Sequence, residues 1–143
     1  MTKFFNLQKT LSVVLMAVLI AVTVLCFFGC AGKHAPDFSG ATVTELGQGS
    51  VTFTLNVKSE SEKQTFMIST DKQTVGDALL ELGIISGTKN GAWFYIESVN
   101  GITADYDKDK TYWAFYVNDA YASSGVDTTP VEDGAVYALC IEK

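Results

Sequence analysis

Eighteen consecutive residues without a charge, Leu11 to Phe28, constrain this chain more than any other feature, because they cannot belong to a folded core outside a membrane. Only Lys3 and Lys9 precede the run, with no acid, the charge asymmetry of a segment whose N-terminus stays cytoplasmic. The run therefore reads as an address or an anchor, and the residues after it are expected outside the cytoplasmic membrane. It also explains a mean hydropathy of +0.20 in a chain of net charge -6: many of the apolar residues sit at one end.

The run ends in Phe27-Phe28-Gly29-Cys30, which resembles the lipobox of bacterial lipoproteins, where a small residue precedes the acylated cysteine. Phe27 and Phe28 depart from its usual Leu and small residue, and Cys26 fits less well because Leu25 precedes it. The resemblance implies a signal peptide over residues 1–29 and lipidation of Cys30. The alternative is an uncleaved transmembrane helix, since eighteen apolar residues are about the minimum to span a hydrocarbon core near 30 Å thick. Either way the expected partner of the N-terminus is a lipid bilayer, with the remainder on the extracellular face.

Without residues 1–29 the chain keeps 114 residues and 8 Lys against 16 acids, a net charge of -8. One domain fits that length. All ten basic residues of the full chain are lysines, so nucleic acid is excluded as a partner by the sign of the field. With Cys30 lipidated, Cys140 is the one remaining thiol, so no intrachain disulfide is expected; in the apolar run VYALCI it reads as a small buried hydrophobe.

Residues 30–49, AGKHAPDFSGATVTELGQG after the cysteine, show no helical or strand period and read as a flexible spacer carrying His34. Val51, Phe53, Leu55 and Val57 alternate with polar residues as a half-buried strand, and TFMIS, Thr65 to Ser69, returns as its antiparallel partner. Thr74 and Asp77 approach a capping box and Gly83 supplies a stop, so a short helix is expected over Val75 to Leu82. SGTKNG reads as loop. Ala92 to Val99 ends at Asn100-Gly101, Thr111 to Val117 ends at Asn118-Asp119, and the PVEDG turn, Pro130 to Gly134, leads into a last strand from Ala135 to Ile141. The order predicts an α+β fold over residues 50–143, a β-grasp-like, mostly antiparallel sheet with one short helix.

The residues argue against an enzyme. Ser-His or Cys-His catalysis needs a base beside the nucleophile, and His34 in the spacer is the one histidine. Asp105, Asp107 and Asp109 alternate as in a calcium loop, but Lys110 stands where the turn needs Gly and Tyr116 where a bidentate Glu would sit. No phosphate-cradling loop and no CxxC pair is present. No metal site and no cofactor are expected. The remaining feature is aromatic density: Trp93, Phe94, Tyr95, Tyr106, Tyr112, Trp113, Phe115, Tyr116 and Tyr121. Strand alternation sends Tyr112 and Trp113 to opposite faces, so one ring set is expected to be exposed, for a flat apolar ligand, a glycan or a protein partner.

YIESVNG, TYWAFYVN, SGVD and PVEDG, spread between about Thr74 and Ile141, resemble the C-terminal β domain of transcobalamin and intrinsic factor and the bacterial transcobalamin-like domain family of surface lipoproteins. In the animal proteins this domain covers one face of a corrinoid. The resemblance implies ligand contacts at Tyr112, Trp113, Phe115, Gly125 and Val126, and a role in capture for a membrane transporter. The helical partner domain of those proteins is absent from this sequence. The alternative expectation is a surface adhesion or assembly module that binds a protein or glycan.

Overall fold

The computed structural model describes residues 36–143; the apolar run, Cys30 and His34 lie outside the described residues. Among the described residues nine strands and two short helices follow one another: β1 (Thr42–Gly47), β2 (Val51–Lys58), β3 (Lys63–Thr70), α1 (Val75–Glu81), β4 (Ile85–Asn90), β5 (Trp93–Val99), β6 (Ile102–Thr103), α2 (Tyr106–Asp109), β7 (Tyr112–Val117), β8 (Ala120–Tyr121) and β9 (Val136–Glu142). The fold is α+β and mostly sheet. Six strands form one sheet in the order β1-β3-β2-β9-β7-β8, and β4-β5-β6 form a second.

The β2–β3 hairpin forms as its alternation predicts, with Phe53 opposite Ile68 and Leu55 opposite Phe66. Those four side chains are buried with Val57, Tyr137 and Leu139. The sheet is more mixed than expected: β2 runs parallel to β9, and β1 runs parallel to β3. The strand β1 also corrects the spacer expectation over its last part. Its side chains are almost all exposed, so no apolar alternation announces it, and pairing along the β3 edge defines it. From the same stretch, Phe38 packs on the outer face of the large sheet, against the group formed by Ala114, Tyr116, Ala138 and Cys140.

Helix α1 starts where the capping pattern places it. Thr74 Oγ1 accepts from the Asp77 amide at 3.2 Å, and the first helical amides find loop carbonyls: Val75 donates to Thr129 O at 2.9 Å and Gly76 to Val126 O at 2.7 Å. Gly83, at φ +66°, ends it. Seven residues are too few to persist alone; Val75, Ala78 and Leu79 anchor the helix in the core.

The expected loop SGTKNG is instead most of β4. Ser86 pairs with Ser98 and Asn90 with Trp93, with a bulge between Ser86 and Gly87. Gly87 is required there, because a Cβ would overlap the Tyr95 carbonyl. The segment reads polar because it is an edge strand exposed over most of its length. A second, unexpected helix, the single turn α2, occupies the DYDKD stretch. The tight turns at Asn100-Gly101 and Asn118-Asp119 have the positive φ angles those residues permit, 48° and 79°, and 47° and 66°.

Candidate functional site

Strand β7 divides the aromatic residues between two faces. Trp113 and Phe115 point inward and are 7% and 8% exposed, while Tyr112, Ala114 and Tyr116 belong to the outer face with Phe38 and Cys140. Phe115 stacks on Tyr137, centroids 6.0 Å apart, and Phe53 meets the same ring edge-on at 5.2 Å. One short helix could not hide so many rings, but a second sheet helps to. Ile96 and Val99 of β5 and Ile85 of β4 join the same core as Trp113 and Phe115, which removes those two rings from solvent.

On the outer face, the Tyr116 hydroxyl donates to Glu142 Oε1, and the Tyr112 hydroxyl lies 3.4 Å from Oε2. Burial, reinforced by the neighbouring carboxylate, pushes the Tyr116 phenol far above its ordinary range. Burial likewise pushes the Cys140 thiol up to about 11. That environment suits an inert thiol rather than a nucleophile.

Four rings are exposed: Tyr106 on α2 and Tyr121 on β8, each a little over half exposed, and two on the second sheet. Trp93 is 70% exposed and Tyr95 is 45% exposed. They stand two residues apart on β5 and so share a face, while Phe94 and Ile96 turn toward the core. The signal is present in the sequence: Glu97, two residues beyond Tyr95, lies on the same face, and a charge in that register marks the wet side. YWAFYV of β7 contains no charge to mark either face.

Four of the five residues expected at the ligand come together. Trp113, Phe115, Gly125 and Val126 line one cleft of about 160 Å³ with Phe94 and Tyr95, whereas Tyr112 lies on the opposite face of the sheet. Tyr95 is also a wall of two larger, open depressions: one of about 650 Å³ with Trp93, and one of about 440 Å³ with Glu97 and Tyr106. The cleft and both depressions thus share the Tyr95 ring as a common wall. Ligand pockets that enclose a drug-sized molecule have roughly 300–1,000 Å³ and bury most of it. The cleft is smaller than that range, and the two depressions beside it are open.

The loop bearing Gly125 and Val126 is held firmly. Gly125 O accepts from the Thr128 and Thr129 amides at 3.2 and 3.1 Å and from Thr129 Oγ1 at 2.8 Å. Val126 is fully buried beneath it and its carbonyl takes the Gly76 amide, so Val126 is a packing residue as much as a cleft wall. Gly76 permits this contact: a Cβ there would lie 2.9 Å from Asp127 Cα and 3.0 Å from Val126 C.

Two of the three carboxylates of DYDKD, Asp105 and Asp109, have structural tasks. Asp105 caps α2 by accepting from the Asp107 and Lys108 amides, both at 3.1 Å. Asp109 accepts from the Thr111 amide and hydroxyl, and the hydroxyl contact chiefly holds its carboxyl below the usual range. Lys110 Nζ stands over the Tyr106 ring, 4.9 Å from its centroid. Among the described residues, no group of three or more His, Cys, Asp or Glu gathers to hold a metal ion.

Residues 72–136 match the family model described as a domain of unknown function, DUF4430. Among curated proteins none matches the chain. Two solved structures share the fold. One is a candidate metal-binding protein from Ruminococcus gnavus ATCC 29149, at 23% identity and TM-score 0.62, with 66% of this chain and 98% of that one covered. The other is haptocorrin in complex with Cbi, at 16% identity and TM-score 0.50, with 68% of this chain covered. The present chain spans about a quarter, 26%, of the haptocorrin chain.

Proposed function

We propose that this protein is a membrane-tethered, extracellular ligand-binding domain that holds a flat ligand, a corrinoid first among them, against the β5 aromatic face for delivery to a membrane transporter. The observation that carries the reading is the pair of exposed rings, Trp93 and Tyr95, beside the cleft lined by Trp113, Phe115, Gly125 and Val126. A ring of this size buries about 150–250 Å² when covered, so two of them supply most of what a weak, one-sided site needs. The likeness to haptocorrin supports the choice of corrinoid, and the open face agrees with a domain that covers one side of its ligand. The central parallel pairing of β2 with β9, with α1 in the long connection between them, supports describing the domain as β-grasp-like. We read the N-terminus as a lipoprotein signal with Cys30 acylated; palmitate incorporation that survives Cys30→Ala would remove that part.

The binding test is calorimetry of the full chain in detergent with cobinamide. Binding is expected to weaken about tenfold in Trp93→Ala and in Tyr95→Ala, the loss of one stacked ring. Absence of heat at high micromolar cobinamide removes corrinoids. A chain that then captures a surface protein or glycan through Trp93 is an adhesion module instead.

A further inference from the structure

We infer that the ligand of the β5 face carries a neutral carbonyl oxygen, of the carboxamide kind, on the edge that enters the cleft, and that the Trp113 indole N–H donates to it. This deepens, and rests on, the reading of that face as a binding surface. Among the described residues, Trp113 Nε1 is the one buried side-chain nitrogen or oxygen without a hydrogen-bond partner. Buried donors are nearly always paired, so an orphan on a side chain that lines a cleft points to a partner that arrives with the ligand. An indole N–H only donates, so the ligand must supply an acceptor.

Size and charge narrow that acceptor. A cleft of about 160 Å³ admits a side arm and excludes the flat body, which stays on Trp93 and Tyr95. No cation lines the cleft or the depression beside Trp93, and in the other depression three carboxylates, Glu97, Asp105 and Asp107, outnumber Lys110, whose ammonium lies over the Tyr106 ring. A carboxylate would approach its own sign of charge; a carboxamide oxygen would not. Nε1 itself is covered in the free protein, so entry of the arm requires the cleft wall to give way around it. Amide side arms of a corrinoid and acetamido groups of an N-acetylated glycan share this chemistry.

The chain has two tryptophans, hence two indole N–H resonances, and Trp113→Phe assigns them. The full chain, ¹⁵N-labelled in detergent, is titrated with dicyanocobinamide and, separately, with chitotriose. With whichever probe binds, the Trp113 indole proton is expected to move downfield, and Trp113→Phe, which keeps a ring in the core, is expected to bind about tenfold more weakly. The probe that gives this response identifies the source of the amide. Cobyrinic acid, whose arms end in carboxylates, is expected to bind at least tenfold more weakly than cobinamide if the corrinoid is that source. Binding that leaves the Trp113 indole signal in place, with Trp113→Phe as tight as wild type, overturns the inference while sparing the β5 surface. Equal affinity for cobyrinic acid overturns the requirement for neutrality. If neither probe binds, the small-ligand reading of the β5 face fails and the inference fails with it.

Discussion

Substituting Gly76 by alanine isolates the contact on which the Gly125–Val126 loop depends. In an unconstrained helix the change would be favourable by about 1 kcal/mol, because alanine is the better helix former. Here the new methyl would lie within 3.0 Å of three backbone atoms, Asp127 Cα, Asp127 N and Val126 C, none of which can swing away as a side-chain tip can. Overpacking of that kind costs about 1–3 kcal/mol. Displacing the loop also strains the 2.7 Å bond from the Gly76 amide to Val126 O, worth about 1 kcal/mol. The balance is a loss of about 2 kcal/mol, or roughly 8 °C in Tm for a domain of about 100 residues. Urea and thermal titrations of the full chain, followed by tryptophan fluorescence, measure it. Gly83→Ala is the control: it has φ +66° and nothing within 4 Å of the added Cβ, so it carries only the left-handed backbone cost, about 1 kcal/mol, and leaves the cleft intact. A Gly76→Ala protein as stable as wild type would mean that the loop does not rest on the helix as described.

Three other perturbations probe the same geometry. Cys140, buried and with its thiol pushed up to about 11, should stay unmodified by iodoacetamide at pH 8 in the native chain and react on denaturation, as peptide mapping would show; rapid native labelling would contradict the packing of the outer face. Removing the carboxylate in Glu142→Ala, which abolishes the Tyr116 bond, should cost about 1–2 kcal/mol in urea titration, and a neutral effect would contradict that bond. Asp37 is held at about 2, first by the Ser39 amide and then by the Ser39 hydroxyl and Lys63. Because its folded value is depressed, the stabilisation is complete above the unfolded value of 3.8 and is lost as pH falls through about 2, so the Ser39 amide resonance should titrate near pH 2; a midpoint near 3.8 would contradict the turn.

The hairpin β2–β3, the capped helix and the Asn-led turns are legible in the sequence because each has a local cause: alternation, a cap, or a residue that tolerates positive φ. β1 and β4 are not, since both are edge strands with polar, exposed side chains whose pairing is written in the partner strand. The missing β4 strand also misplaces the exposed rings. With only one helix available to cover them, Trp113 and Phe115 look like surface candidates, whereas Ile85, Ile96 and Val99 of the second sheet help cover them. Of the residues the resemblance implies, Trp113, Phe115, Gly125 and Val126 meet in one cleft where β7 lies beside that loop, while the register of β7 places Tyr112 on the other face.

The most direct test of the aromatic face as the binding surface is a map of backbone amide shifts in the full chain as cobinamide is added. The account predicts the largest changes along Trp93–Glu97 and Ser124–Val126. Changes confined to the outer face around Tyr112, Tyr116 and Glu142 would contradict it.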